Sequence, residues 1–201
     1  MNHLQGISHL KNHYYVIRHG KSKANAQEII VSNPAIGTKE YGLVEEGRQQ
    51  VIDSVTKAKD QHILDKDTIV VSSDFTRTKE TAEITKDILK TDEIILTPKL
   101  RERFFGNWDQ KHNRHYQNVW VEDIKDPHHK DNDVESTEEV LDRTTSLIKE
   151  LEEQFDEKKI LLVSHGDALQ ILQTGFEKVD SSQHRELAHL NTAEIRELTL
   201  N

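Results

Sequence analysis

Two short apolar runs, Tyr14-Tyr15-Val16-Ile17 and Ile160-Leu161-Leu162-Val163, each stop at a histidine followed by glycine, in Arg18-His19-Gly20 and Ser164-His165-Gly166. Short unalternated runs rich in β-branched residues are the pattern of strands covered on both faces. Thr68 to Val71 and Ile94 to Leu96 read the same way, so all four runs are expected at the centre of a sheet. Between them, Leu43 to Lys59 and Thr76 to Leu89 space apolar residues over polar backgrounds, as helices laid on a sheet do. Strand alternating with helix predicts an α/β fold. In such sheets ligands gather outside the carboxyl ends of the strands, where residues far apart in sequence meet. Histidines at two strand ends therefore point to one shared site.

Further residues fit that site. Arg77 follows the third run at the start of a helical stretch, and Glu102 lies in Leu100-Arg101-Glu102-Arg103-Phe104-Phe105-Gly106-Asn107-Trp108. Phosphoryl transfer needs an acceptor, positive charge on the equatorial oxygens and a proton for the leaving alkoxide. A neutral imidazole at His19 can attack phosphorus if its other nitrogen donates to a fixed acceptor, and nearby arginines keep the ring neutral. Arg18 and Arg77 offer planar donor forks to phosphate oxygens. A free helix start also favours an anion beside Arg77. His165 reads as a donor to the transferring group, protonated when that group is bound. Glu102 reads as the general acid, and as the base for water in the second half-reaction. Asp167, next to the second histidine block, is the other carboxyl candidate.

With Arg18 through Asn25, Ser72 through Ala82, Leu100 through Trp108 and Val163 through Asp167 in this order, the chain resembles the histidine phosphatase superfamily, in the branch of phosphoglycerate mutases and small phosphatases. The resemblance implies a three-layer α/β/α fold with a mostly parallel central sheet, and catalysis by His19, Glu102 and His165. It also implies phosphate contacts from Arg18, Arg77, Asn25 and, more weakly, Ser22. By the same analogy Thr192 to Leu200, ambiguous between helix and strand, is taken as an edge strand. Lys21 stands where relatives often carry an acidic residue and Val44 where threonine is common, but neither change removes a reacting group. Arg101 and Arg103 are candidates to face a second anionic group of the substrate. A phosphatase is expected. The alternatives are a phosphoglycerate mutase-type transferase and a non-catalytic phospho-ligand-binding protein. The stretch from Asp109 to Asp133 holds a single arginine, Arg114, where a mutase would need a basic clamp.

That stretch is polar and histidine-rich, contains Pro127, and lacks a sustained period, so it reads as a long excursion or lid over the site. Trp108, Tyr116 and Trp120 argue that it packs in part. Ser136-Thr137-Glu138-Glu139 has capping-box spacing ahead of a one-sided apolar helix ending near Phe155. The 201 residues fit a single domain, 1–201. With 36 acidic against 27 basic residues and a net charge of -9, neither nucleic acid nor an anionic membrane is an expected partner. A small phosphorylated substrate is, and a homodimer stays open. The lack of cysteine excludes a thiolate nucleophile and thiolate metal sites. No cofactor and no metal is expected: His112, His115, His128 and His129 form no recognisable ligand pattern and read as surface residues. Without a leader-like or membrane-length apolar segment, a cytoplasmic location is expected.

Overall fold

A computed structural model describes residues 1–201. In chain order the elements are β1 (His13–Arg18), α1 (Lys23–Ala26), α2 (Pro34–Gly37), α3 (Glu45–Asp60), β2 (Ile69–Ser72), α4 (Thr76–Leu89), β3 (Ile95–Leu96), α5 (Tyr116–Asp123), α6 (Thr137–Gln154), β4 (Lys159–Ser164), α7 (Gly166–Glu177) and β5 (Ile195–Leu198), with short 3-10 turns between some of them. The sheet order is β3-β2-β4-β1-β5, parallel except for β5, which runs antiparallel to β1. The two histidine-bearing strands, β1 and β4, are neighbours, with Arg18 opposite Ser164. That register puts His19 and His165 side by side beyond the same edge.

Alternation along the strands builds two apolar layers. Tyr14, Val16, Ile160 and Leu162 pack against Leu147, Ile148 and Leu151 of α6 and Leu169, Leu172 and Phe176 of α7. Tyr15, Ile17, Leu161 and Val163 face Val51, Val55 and Ala58 of α3 and Ala82 and Leu89 of α4. Helices on both faces thus make three layers, which is why the strands carry no polar face. The capping box of α6 forms through Ser136 and Glu139 as its spacing predicts. One expectation fails. Ile94 to Leu96 is not at the sheet centre: β3 is a two-residue edge strand whose Ile95 and Leu96 are 38% and 51% exposed. No further strand lies beyond it, so apolar content here marks a sheet margin.

The loop after β1 approaches α3 so closely that a Cβ on Gly20 would lie 2.3 Å from the Gly47 carbonyl oxygen. Glycine at both places lets β1 turn into the site without pushing α3 off the sheet. The 109–133 stretch is folded: α5 sits in it, and Val119 packs with Ile30, Phe105 and Val134 in a small satellite core. No helix of the protein is long and apolar enough to cross a membrane.

Candidate active site

His19 follows directly on β1 and is 3% exposed. Its backbone N–H continues the ladder to Ser164, and its Nδ1–H donates to the Gly20 carbonyl at 2.8 Å. That bond leaves the Nε2 lone pair facing Arg77, whose Nε–H donates to it at 3.0 Å. The same N–H reaches His165 Nδ1 at 3.1 Å, a three-centre bond that ties both imidazoles to one guanidinium. His165 then carries its proton on Nε2 and donates it to Ser73 Oγ at 2.9 Å. The rings meet edge to face, with centroids 5.2 Å apart. Burial first, then the positive charge of Arg77, hold both histidines well below the ordinary imidazole pKa, so both are neutral.

Arg77 is the second residue of α4, which starts at the carboxyl end of β2. It lies beside the fully buried Phe75 and donates through Nη2 to the Val31 carbonyl at 3.0 Å. Its Nη1 is buried with no partner, and so is Nε of Arg18. Burial lowers Arg77 to about 10, which still leaves it charged at neutral pH. Arg18 is fixed by Nη1, which donates to the Leu190 carbonyl and to His189 Nε2 at 3.0 and 2.8 Å. Two guanidinium groups with unused donors and two neutral imidazoles thus surround one basin. Unmade hydrogen bonds in a dry place are costly. A tetrahedral oxyanion has the geometry to satisfy them.

Glu102 is 8% exposed, and its Oε1 accepts the backbone N–H groups of Arg103 and Ala168 at 3.0 and 3.1 Å. Burial and then the Asp167 carboxylate raise its pKa against the pull of Arg77. Glu102 and Arg18 line a cleft of about 190 Å³ with Tyr116, Trp120, Gly166, Asp167, Arg185 and His189. Asp167 has less freedom than Glu102. Its Oδ1 accepts the Trp120 indole N–H at 2.9 Å, and its Oδ2 faces Arg103 at 3.3 Å.

Geometry therefore brings together His19, His165, Arg18, Arg77 and Glu102. Ser22 and Asn25 are placed otherwise: they form the capping box of α1, and no hydrogen bond joins them to the histidines or arginines of the basin. Lys21 is paired with Glu46. Arg101 is held by both oxygens of Asp74, while Arg103 is fully buried with both oxygens of Asp123, so neither is free for a substrate anion. His129 is not a surface residue, because its side chain is 7% exposed and bonded to Asp123 at 2.7 Å. No three histidine or carboxylate side chains converge in a way that could hold a metal ion. Sequence reasoning missed Ser73, which orients His165, and also Arg185 and His189. Arg185 stacks 3.7 Å over Trp120. The scarcity of arginine in 109–133 therefore leaves the cleft with a cation after all, supplied from a different turn.

Comparison with known proteins agrees with these motifs. The model of the histidine phosphatase superfamily (branch 1) matches residues 14–201. A relative from Escherichia coli named "Probable phosphoglycerate mutase GpmB" is 30% identical over 162 residues, 77% of this chain and 70% of its own. Among solved structures, a mycobacterial glucosyl-3-phosphoglycerate phosphatase in complex with VO3 superposes with a TM-score of 0.75 at 21% identity, covering 92% of this chain and 91% of that one. A phosphoserine phosphatase from Entamoeba histolytica gives 0.74 at 22%, covering 92% and 89%. At these identities the structures speak for the shared fold. The family match over nearly the whole chain, with the strand-end histidines in register, establishes that this protein belongs to the histidine phosphatase superfamily.

Proposed function

We propose that the protein is a metal-independent phosphatase that hydrolyses phosphate monoesters through a phosphohistidine on His19. The observation that carries this reading is the state of His19: neutral, buried, its Nδ1–H fixed on the Gly20 carbonyl and its Nε2 lone pair turned to a guanidinium. A phosphate drawn in by Arg18 and Arg77 takes over the donor now spent on that lone pair. Nε2 attacks phosphorus, the ester P–O bond breaks, and Glu102 gives its proton to the leaving oxygen. In the second step the Glu102 carboxylate takes a proton from water, the oxygen attacks phosphorus, and the P–N bond returns its electrons to Nε2. Inorganic phosphate leaves with the enzyme restored. Phosphate charge offsets that of Arg77, which lets His165 accept a proton at Nδ1 and donate to the transferring group.

The name of the Escherichia coli relative favours a second reading, a mutase that returns the phosphoryl group to an acceptor other than water. Against it, the names of the phosphatases sharing this fold support hydrolysis. Purified protein should release inorganic phosphate from at least one member of a phosphomonoester panel. It should convert 3-phosphoglycerate with bisphosphoglycerate primer to 2-phosphoglycerate far more slowly. EDTA should leave the activity intact and vanadate, a five-coordinate phosphate mimic, should inhibit. Isomerisation faster than the best hydrolysis would make it a mutase, and loss in EDTA restored by one divalent ion would remove the metal-free mechanism.

A further inference from the structure

The arginines of this chain divide by partner. Arg48, Arg101, Arg103, Arg143 and Arg196 are each ion-paired to a carboxylate. Arg114 is exposed. Three arginines withdrawn from solvent have no carboxylate partner: Arg18, Arg77 and Arg185. The first two belong to the phosphate basin, and the third stands apart from it on the same cleft.

Arg185 is held in place with no carboxylate at ion-pair distance. Its guanidinium carbon lies over the Trp120 ring, 3.7 Å from the centroid, and Nη1 donates to Gln170 Oε1. Its other donors take no hydrogen bond from the protein. The carboxylates that share the cleft are committed elsewhere, Asp167 to Trp120 and Arg103, and Glu102 to two backbone N–H groups. Asp167 and Asp123 act on it only through space, against the larger effect of burial, and a half-buried, oriented guanidinium with no carboxylate at ion-pair distance is a receptor for an anion. Glu102 lines this cleft together with Arg185 and is also within electrostatic reach of Arg77 in the basin. At roughly 30 Å³ per water-sized group, the cleft has room for about six.

We propose that Arg185 binds a second anionic group carried by the leaving alcohol, so that the preferred substrates are small phosphate monoesters whose alcohol bears a carboxylate or a second phosphate. The proposal rests on the hydrolase reading above for its kinetic test and on binding alone for a second test. In kinetics, the ratio of kcat/KM for 2-phosphoglycolate over ethyl phosphate measures the anion preference at constant chain length. Ethanediol bisphosphate in place of 2-phosphoglycolate distinguishes a second phosphate from a carboxylate. The wild-type ratio should be roughly ten- to hundredfold for the preferred anion, as expected of a charge-assisted pair. Arg185→Met should bring it close to one, and Arg185→Lys should restore part of it. If the arginine only supported Trp120, its loss would depress both substrates alike and leave the ratio unchanged, which would overturn the assignment. A wild-type ratio near one for both anions would do the same. In the second test, calorimetric affinities for the same compounds are compared in His19→Ala and in His19→Ala with Arg185→Met. Anion preference in the first and not in the second supports the receptor even if no compound is hydrolysed, an outcome that would sink only the hydrolase reading.

Discussion

At His19 and His165 burial and positive neighbours act in the same direction, toward neutral rings, and this has a consequence for stability as well as chemistry. Both folded-state pKa values lie well below the ordinary value, so as pH falls through about 6.5 the unfolded chain takes up protons that the folded chain refuses. Stability is then lost on acidification, by at most about 1.4 kcal/mol per pH unit for each histidine. Glu102 has the opposite sign: its raised pKa makes the folded state the better proton binder above about pH 4.5, so its contribution falls as pH rises. His184 and His189 are also lowered, by burial first, and four histidines against one glutamate predict that the urea midpoint drops between pH 7 and pH 5.5, and that His165→Asn flattens the drop. A midpoint that rises on acidification would mean the rings are charged when folded. Glu102 itself is tested by leaving group. Glu102→Gln should slow alkyl phosphates by about 10²–10⁴-fold and aryl phosphates with good leaving groups far less. If Asp167→Asn shows the steeper dependence, the acid is Asp167. The residues proposed to react were legible as candidates because each sits in a short local motif. Ser73, Arg185 and His189 were not, because their meaning comes only from what the fold places opposite them.

Among the elements, the core strands and α4 and α6 were legible from local signals, namely β-branched runs, apolar periodicity and one capping box. Two readings fell short for lack of a local cue. The Ile94 to Leu96 run carries core-like residues at an unpaired margin. The 109–133 stretch hides its order in pairs with other parts of the chain, since Tyr116 meets Phe105 edge to face at 4.7 Å and Trp120 donates to Asp167, while its charged residues look solvated in sequence. Yet Asp123 at the end of α5 is fully buried. It is gripped by both Arg103 Nη atoms at 2.7 Å, with His129 on one oxygen and His184 Nε2 3.7 Å from the other. Arg103 in turn follows Glu102 and supplies one of its backbone donors. This ion pair latches α5 over the cleft and steadies the acid from behind. Neutralising Asp123 leaves the buried guanidinium with Asp167 alone, at 3.3 Å, so Asp123→Asn should cost up to about 3–5 kcal/mol of unfolding free energy. Chemical denaturation with unchanged m-value measures it, and a loss below about 1 kcal/mol would show that the pair does not hold the helix.

Over the whole molecule, a net charge of -9 surrounds a basin that holds two guanidinium groups, Arg18 and Arg77, without carboxylate partners. The sheet explains how: parallel β1, β2 and β4 deliver His19, His165 and the start of α4 to one edge, and the unpaired cations collect there. In the proposed reaction phosphate meets donors already buried and oriented before it arrives, a preorganisation that costs the folded protein their solvation. This is also the scale at which the account can fail most plainly, because every role assigned here depends on covalent transfer to one nitrogen. Rapid acid- and base-quench experiments with ³²P-labelled substrate measure that transfer. The wild type should give an acid-labile, base-stable phosphoprotein and His19→Ala none. Labelling that survives His19→Ala, or hydrolysis by that variant at the wild-type rate, would contradict it.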